Sequence, residues 1–205
     1  MSRRLIVLAL AFLPHVALAD EAVVEQTDDE VEDEDAVPDQ GLGASLGIAG
    51  GGRTTPGGFR VEGHYLYQLA EQDWFDGTAA FTFGAGGAAC FRDRMDYVIC
   101  DHGFADGRGV EAIAAVRRYF AVQGKFRPYA RLGVGFGIVR YSDDDVTGIT
   151  IPAHMGGGVR ANVSPQIAIV AAAEIVIGFA RLGRGIGTEP QLGISVTAGA
   201  EFRLP

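Results

Sequence analysis

The 205-residue chain has a net charge of −9, but the charge is unevenly placed: residues 20–40 hold eleven acids and no base, while residues 41–205 balance fifteen acids with fifteen bases. Only one base in the whole chain, Lys125, is a lysine. A neutral, lysine-poor body lacks the basic stripe of a nucleic-acid-binding protein and the mixed lysine–glutamate surface of an ordinary soluble domain. Thirty glycines, with no period of three, are too many for a helical domain and do not make a collagen-like one.

Residues 1–19 read as a cleaved secretory signal. Arg3 and Arg4 open it, Leu5 to Leu13 form its apolar core, and Ala17-Leu18-Ala19 supplies the small-x-small cleavage site. That core is too short to span a bilayer, and no later stretch is long and apolar enough for a membrane helix. The acidic segment 20–40 repels itself and contains no aromatic residue, so it is expected to be disordered. It reads as a solvated spacer, or alternatively as a tail that binds cations or a chaperone.

From residue 41 onward the chain alternates. Eight strands are predicted near 41–51, 58–69, 77–89, 108–120, 126–140, 148–162, 166–180 and 190–204. Most are long enough to cross a bilayer at a tilt, which takes roughly 9–11 residues. Successive side chains on a strand point to opposite faces. The last strand shows the consequence. Leu192, Ile194, Val196, Ala198, Ala200, Phe202 and Leu204 share one face; Gly193, Ser195, Thr197, Gly199, Glu201 and Arg203 share the other. The same split recurs in each run. On the polar side, charged residues and histidines stand singly among small residues: Arg60, Glu62, His64, Glu111, Arg117, Arg131, His154, Arg160, Glu174, Glu201 and Arg203. These are expected to form a polar network inside a closed barrel. An eight-stranded barrel has an interior just wide enough for side chains to fill, and buried charges need partners of the opposite sign.

Alternation alone allows two arrangements: a membrane barrel with its apolar face outward, or a soluble secreted ligand-binding barrel with that face inward. The abundance of Gly, Ser, Thr and Ala on the polar face favours the membrane barrel, because a water-facing strand surface carries longer polar side chains. With the N-terminus in the periplasm, the first, third, fifth and seventh connections become extracellular loops. They read as longer than the other three, as expected of such barrels. Phe59, Tyr67, Tyr119, Phe120, Phe126, Tyr141, Phe179 and Phe202 lie near strand ends and are candidates for interfacial girdles.

In strand number, face pattern and export signal, residues 41–205 resemble the small eight-stranded outer-membrane barrels: the OmpA transmembrane domain, OmpX and the opacity-type proteins. The resemblance implies an all-β, eight-stranded antiparallel up-and-down transmembrane barrel in the outer membrane of a Gram-negative bacterium. It also implies contact with outer-membrane lipid and lipopolysaccharide, and with the barrel-assembly machinery. The chain ends Phe202-Arg203-Leu204-Pro205, which departs from the terminal aromatic residue common in that family.

Cys90 and Cys100 are the only cysteines and lie close together in the longest predicted loop. In an oxidising compartment such a pair is expected to form a disulfide, stabilising by about 2–3 kcal/mol on the chain-entropy account. Loop 90–107 then reads either as a recognition surface for an extracellular ligand or as a protease-resistant lid. Catalysis at the lipid-facing rim requires a Ser or His with an orienting carboxylate. The candidates are His64, His102, His154, Ser142 and Ser164, and no GxSxG motif accompanies them. Asp143-Asp144-Asp145 reads as a solvated turn or a cation bridge to lipopolysaccharide phosphates, without the ligand spacing of an EF-hand. No cofactor or resident metal is expected. The predicted role is non-enzymatic: a structural or surface-interaction barrel with a plugged core, the alternative being a narrow pore for small solutes.

Overall fold

The computed structural model describes residues 39–52, 54–84, 88–92, 98–102, 107–120, 124–142 and 145–204. The expected export signal and the acidic segment up to residue 38 lie outside this set, as do Asp143 and Asp144. Eight strands form one closed antiparallel barrel: β1 (Gln40–Gly51), β2 (Gly58–Gln68), β3 (Asp73–Gly84), β6 (Gly107–Tyr119), β7 (Phe126–Tyr141), β8 (Val146–Asn162), β9 (Ile167–Leu182) and β10 (Gly187–Arg203). Each pairs with its neighbours in sequence, and β1 closes against β10. Two short strands, β4 (Ala88–Arg92) and β5 (Val98–His102), form a separate hairpin between β3 and β6. Their register sets Cys90 directly opposite Cys100.

The apolar face points outward. Leu46, Leu132, Val134 and Phe179 are each more than 60 % exposed, while Arg117, Arg131, Asp76 and Glu201 on the other face are almost wholly buried. A soluble barrel would have these faces exchanged. The wall is tightest at the β1–β10 seam. A Cβ added at Gly47 would lie 2.0 Å from the Val196 carbonyl oxygen, and one at Gly199 the same distance from that of Ala44, so only glycine allows this approach.

Several sequence expectations change. The third barrel strand spans 73–84 rather than 77–89: it begins four residues earlier, and Gly84 (φ +149°), paired with Gly107, is its last ladder position. β4 and β5 occupy a segment expected to be loop. The strands also lengthen into the fifth and seventh connections, which shorten to four residues each, 142–145 and 183–186. Only the connection 85–106 is then long. Tyr119 and Tyr141 are buried instead of joining a girdle, because each is in phase with an inward residue, Arg117 and Val139. Phe59, Phe120, Phe126, Phe179 and Phe202 are exposed.

The outward placement of Ile175, half exposed on β9, gives a direct check. Ile175→Arg should destabilise the barrel in lipid vesicles by roughly 2–4 kcal/mol, read from urea unfolding. A change near zero would mean that this face does not meet lipid.

Candidate functional site

The lumen is built from alternate residues of the barrel strands, and its chemistry is a chain of ion pairs. Strand β2 places Arg60, Glu62 and His64 at successive inward positions. Arg60 Nε donates to Glu62 Oε1 at 2.6 Å. The other oxygen of Glu62 lies 3.5 Å from His64 Nε2, and Ser45 on β1 bridges the two, donating to Glu62 at 3.0 Å and lying 3.2 Å from the ring nitrogen. His64 Nδ1 meets Asp76 on β3 at 3.1 Å. Arg131 on β7 pairs with Asp76 at 3.0 Å and, with its other arm, with Glu174 on β9. Glu174 contacts His154 Nδ1 on β8 at 3.3 Å, and His154 Nε2 contacts Glu111 on β6 at 3.1 Å. Arg60 Nη2 reaches Glu111 at 3.2 Å and closes the circuit. Acid and base thus alternate around a ring of Arg60, Glu62, His64, Asp76, Arg131, Glu174, His154 and Glu111, drawn from six of the eight strands.

Thr78 and Thr82 complete the ring. Thr78 donates to Asp76 at 2.8 Å and accepts from Arg131 at 2.7 Å; Thr82 accepts from Arg60 at 3.2 Å. Both nitrogens of His154 face a carboxylate, and both are satisfied only when each carries a proton. A branch leaves the ring at Asp76. Arg117 Nη2 pairs with Asp76 at 2.6 Å and Nη1 with Glu201 on β10, which also accepts from Arg160 at 2.9 Å. Arg117 lies 4.4 Å over the Tyr129 ring, and Tyr129 packs edge-on against Tyr119. Arg203 stands apart from the ring. It shares the inward phase of Glu201 but is the last residue of β10, at the rim, where it is exposed and pairs with Asp39.

Two further layers bound the ring. At the end away from the termini, Val139, Tyr141, Val146, Ala180 and Leu182 form an apolar cluster with Ile186. There residues 54–57 fold inward. Thr54 and Thr55 are buried, and their hydroxyls donate at 2.8 Å to the carbonyls of Pro190 and Leu192. The voids within this packing are about 40 Å³ beside Arg60 and Glu111 and about 10 Å³ beside Ser45 and His64. The termini end opens into a vestibule of about 390 Å³ bordered by Trp74, Tyr119, Arg127, Arg160 and Glu201.

Asp76 is the residue the sequence reading missed, and it carries the most contacts. Starting the third strand at residue 77 removed it from the pattern; its phase with Thr78, Ala80 and Thr82 was the available signal. Ser45, Thr78 and Thr82 stood on the polar face without a place in the network. Ser45, His64 and Asp76 have the spacing of a nucleophile, base and orienting acid. However, Ser45 donates to Glu62, and the adjoining void admits no substrate. His64 and His154 are in the lumen, not at the lipid-facing rim. The side chains around Cys90, Cys100 and His102 lie outside the described residues. Asp145 is paired with Arg184.

No protein-family model and no curated protein matches the chain. Solved structures do. Neisserial surface protein A (NspA) aligns over 80 % of this chain and 97 % of its own, with a TM-score of 0.56 and 16 % identity. A major outer membrane protein from Thermus thermophilus aligns over 82 % and 100 %, with a TM-score of 0.53 and 11 % identity. The N-terminal β-barrel domain of Pseudomonas aeruginosa OprF aligns over 82 % and 99 %, with a TM-score of 0.50 and 12 % identity. The chain therefore has the fold of the small eight-stranded outer-membrane barrels.

Breaking a buried pair strands its partner as an uncompensated charge. Asp76→Ala leaves Arg117 and Arg131 facing one another across an empty position and should cost about 3–5 kcal/mol in detergent-unfolding experiments. Arg203→Ala, at the exposed rim, should cost less than about 1 kcal/mol in the same experiment.

Proposed function

We propose that this chain is a non-enzymatic, non-conducting outer-membrane barrel that serves as a structural element and presents the connection 85–106 at the cell surface. The observation that carries this reading is the closed acid–base ring across the lumen. Arg60 on β2 meets Glu111 on β6 past the intervening β3, Arg117 on β6 reaches Glu201 on β10 across the barrel, and the apolar cluster with Thr54 and Thr55 lies over the first pair. The adjoining voids have room for only about three waters and one water respectively, too few for a solute path. The apolar exterior supports insertion in a bilayer, and residues 1–19 supply the export signal. The termini share one end, which we assign to the periplasm; the long connection 85–106 then faces outward.

In this reading Cys90 and Cys100 are joined by a disulfide that braces the β4–β5 hairpin. Directly opposed residues of an antiparallel ladder have Cα atoms about 4.5–5.5 Å apart, within the span a disulfide tolerates. A braced two-stranded tip is suited to recognition of an extracellular ligand.

Planar-bilayer recording of the refolded full chain tests the main claim. The expected trace is flat, apart from occasional transients. Steady open-channel conductance at moderate voltage would establish the narrow-pore alternative instead. Thiol labelling tests the second claim: Cys90 and Cys100 should resist alkylation in the outer-membrane fraction until a reductant is added. Immediate labelling of both would remove the disulfide.

A further inference from the structure

On the outward face, at the end of the barrel away from the termini, β6, β7 and β9 carry Arg108, Arg140 and Arg181, all exposed. Arg108 and Arg140 are directly opposed across the β6–β7 ladder. Like charges in that relation destabilise a sheet unless something of opposite charge lies between them. Among the described residues, none of the three arginines has a carboxylate partner. At the other end of the barrel the outward-facing Arg118 of β6 is different: it lies 3.8 Å from Asp73.

The surroundings indicate which anion would suit them. Val110 and Ile138 follow Arg108 and Arg140 on the same outward face, and Ile149 lies directly opposite Arg181; all three are exposed apolar side chains. Long arginine stems can lie along such a surface while the guanidinium sits at headgroup level. Thr147 lies directly opposite Arg140, on the same face. Beside Arg181 the outer wall carries a shallow groove of about 430 Å³, lined by Ile138, Thr147, Ile149, Arg181 and Gly183; Arg140, directly opposite Thr147, stands next to it. Guanidinium groups and a hydroxyl therefore stand at the edge of an apolar groove that runs into the lipid-facing belt. A soluble anion would use the guanidinium groups and leave the groove empty. A lipid with a phosphorylated head and acyl chains uses both.

We propose that Arg108, Arg140, Arg181 and Thr147 form a binding site for the phosphorylated headgroup of an outer-leaflet glycolipid, with an acyl chain in the groove beside Ile138 and Ile149. Arginine suits the task, because its planar fork meets phosphate oxygens in pairs. The site rests on the orientation proposed above, with the termini in the periplasm.

The test uses the full chain refolded in a zwitterionic detergent and native mass spectrometry. The probes are lipid A with both phosphates, lipid A with its phosphates removed, and inorganic phosphate. The bisphosphorylated lipid should be retained, and the dephosphorylated lipid should bind on the order of tenfold more weakly or less. Each substitution Arg108→Ser, Arg140→Ser or Arg181→Ser should weaken retention by roughly fivefold, the effect of removing about 1 kcal/mol per arginine at an anionic surface. Arg140→Glu separates binding from folding. It gives Arg108 an opposed carboxylate, so the thermal unfolding temperature should hold or rise while lipid A retention is lost. Equal retention of the two lipids, or unchanged retention by the serine variants, would overturn the site. Competition of inorganic phosphate against lipid A at comparable concentration would overturn the lipid assignment. A wild-type chain that shows no heat-modifiable band on a semi-native gel would overturn the barrel reading itself, whereas a folded barrel indifferent to the phosphates overturns only the site.

Discussion

The molecule depends on one constraint: charges held inside a narrow barrel, with lipid outside, must each meet an opposite charge or a hydrogen-bond partner. A stranded buried charge costs several kcal/mol, while a well-made pair only offsets its own desolvation. The ring meets this condition by giving every member contacts on both sides. Asp76 shows how far this is carried, since it receives Arg117, Arg131, His64 and Thr78 at once. Because the members come from six strands, the ring also fixes register. Sliding β9 by one residue against β8 or β10 would turn Glu174 outward and leave Arg131 and His154 facing an apolar neighbour. The polar core thus contributes specificity more than net stability.

The same constraint explains the small residues. Eight strands enclose too little space for a ring of arginines, carboxylates and imidazoles unless other inward positions give way. Gly47, Gly199, Gly133 and Gly156 are such positions, where an added Cβ would strike a neighbouring strand or side chain. A glycine content that weakens isolated strands is therefore a packing requirement of the closed wall. The ends of the barrel differ in how they finish. One is closed by apolar side chains and an inward-folded connection; the other opens into a vestibule with paired charges at its rim.

Much of this was legible in the residues. Strict alternation across eight runs gave the barrel, and the small, sparsely charged face gave the direction in which it points. Single charges in phase with one another named most of the ring. What the pattern could not supply was termination. The polar phase in β3 begins before the glycine at position 77, and treating Gly77 as the start hid Asp76. The opposite error stopped β7 and β9 short of their ends: Tyr141 looked like a girdle residue, yet it and Leu182 are packed inside. Pairing between strands is also invisible to periodicity. That Glu174 would meet Arg131 and His154 follows from the shear of the closed sheet, which no single strand records.

Ser45, His64 and Asp76 show why geometry must be read with its surroundings. Their contacts of 3.2 and 3.1 Å would suit a hydrolase. A catalytic serine needs its hydroxyl hydrogen directed to the base, free space for an acyl group, and donors for the developing oxyanion. Here the hydroxyl donates to Glu62 as well as touching the ring, and the void beside it is about the size of one water. Nearby backbone N–H groups are engaged in the strand ladders that close the wall. Asp76, which would have to respond to the imidazole alone, is shared with two arginines. The contacts that give the trio a catalytic spacing are those that neutralise the lumen, and the same crowding that makes the charges tolerable leaves no place for a substrate.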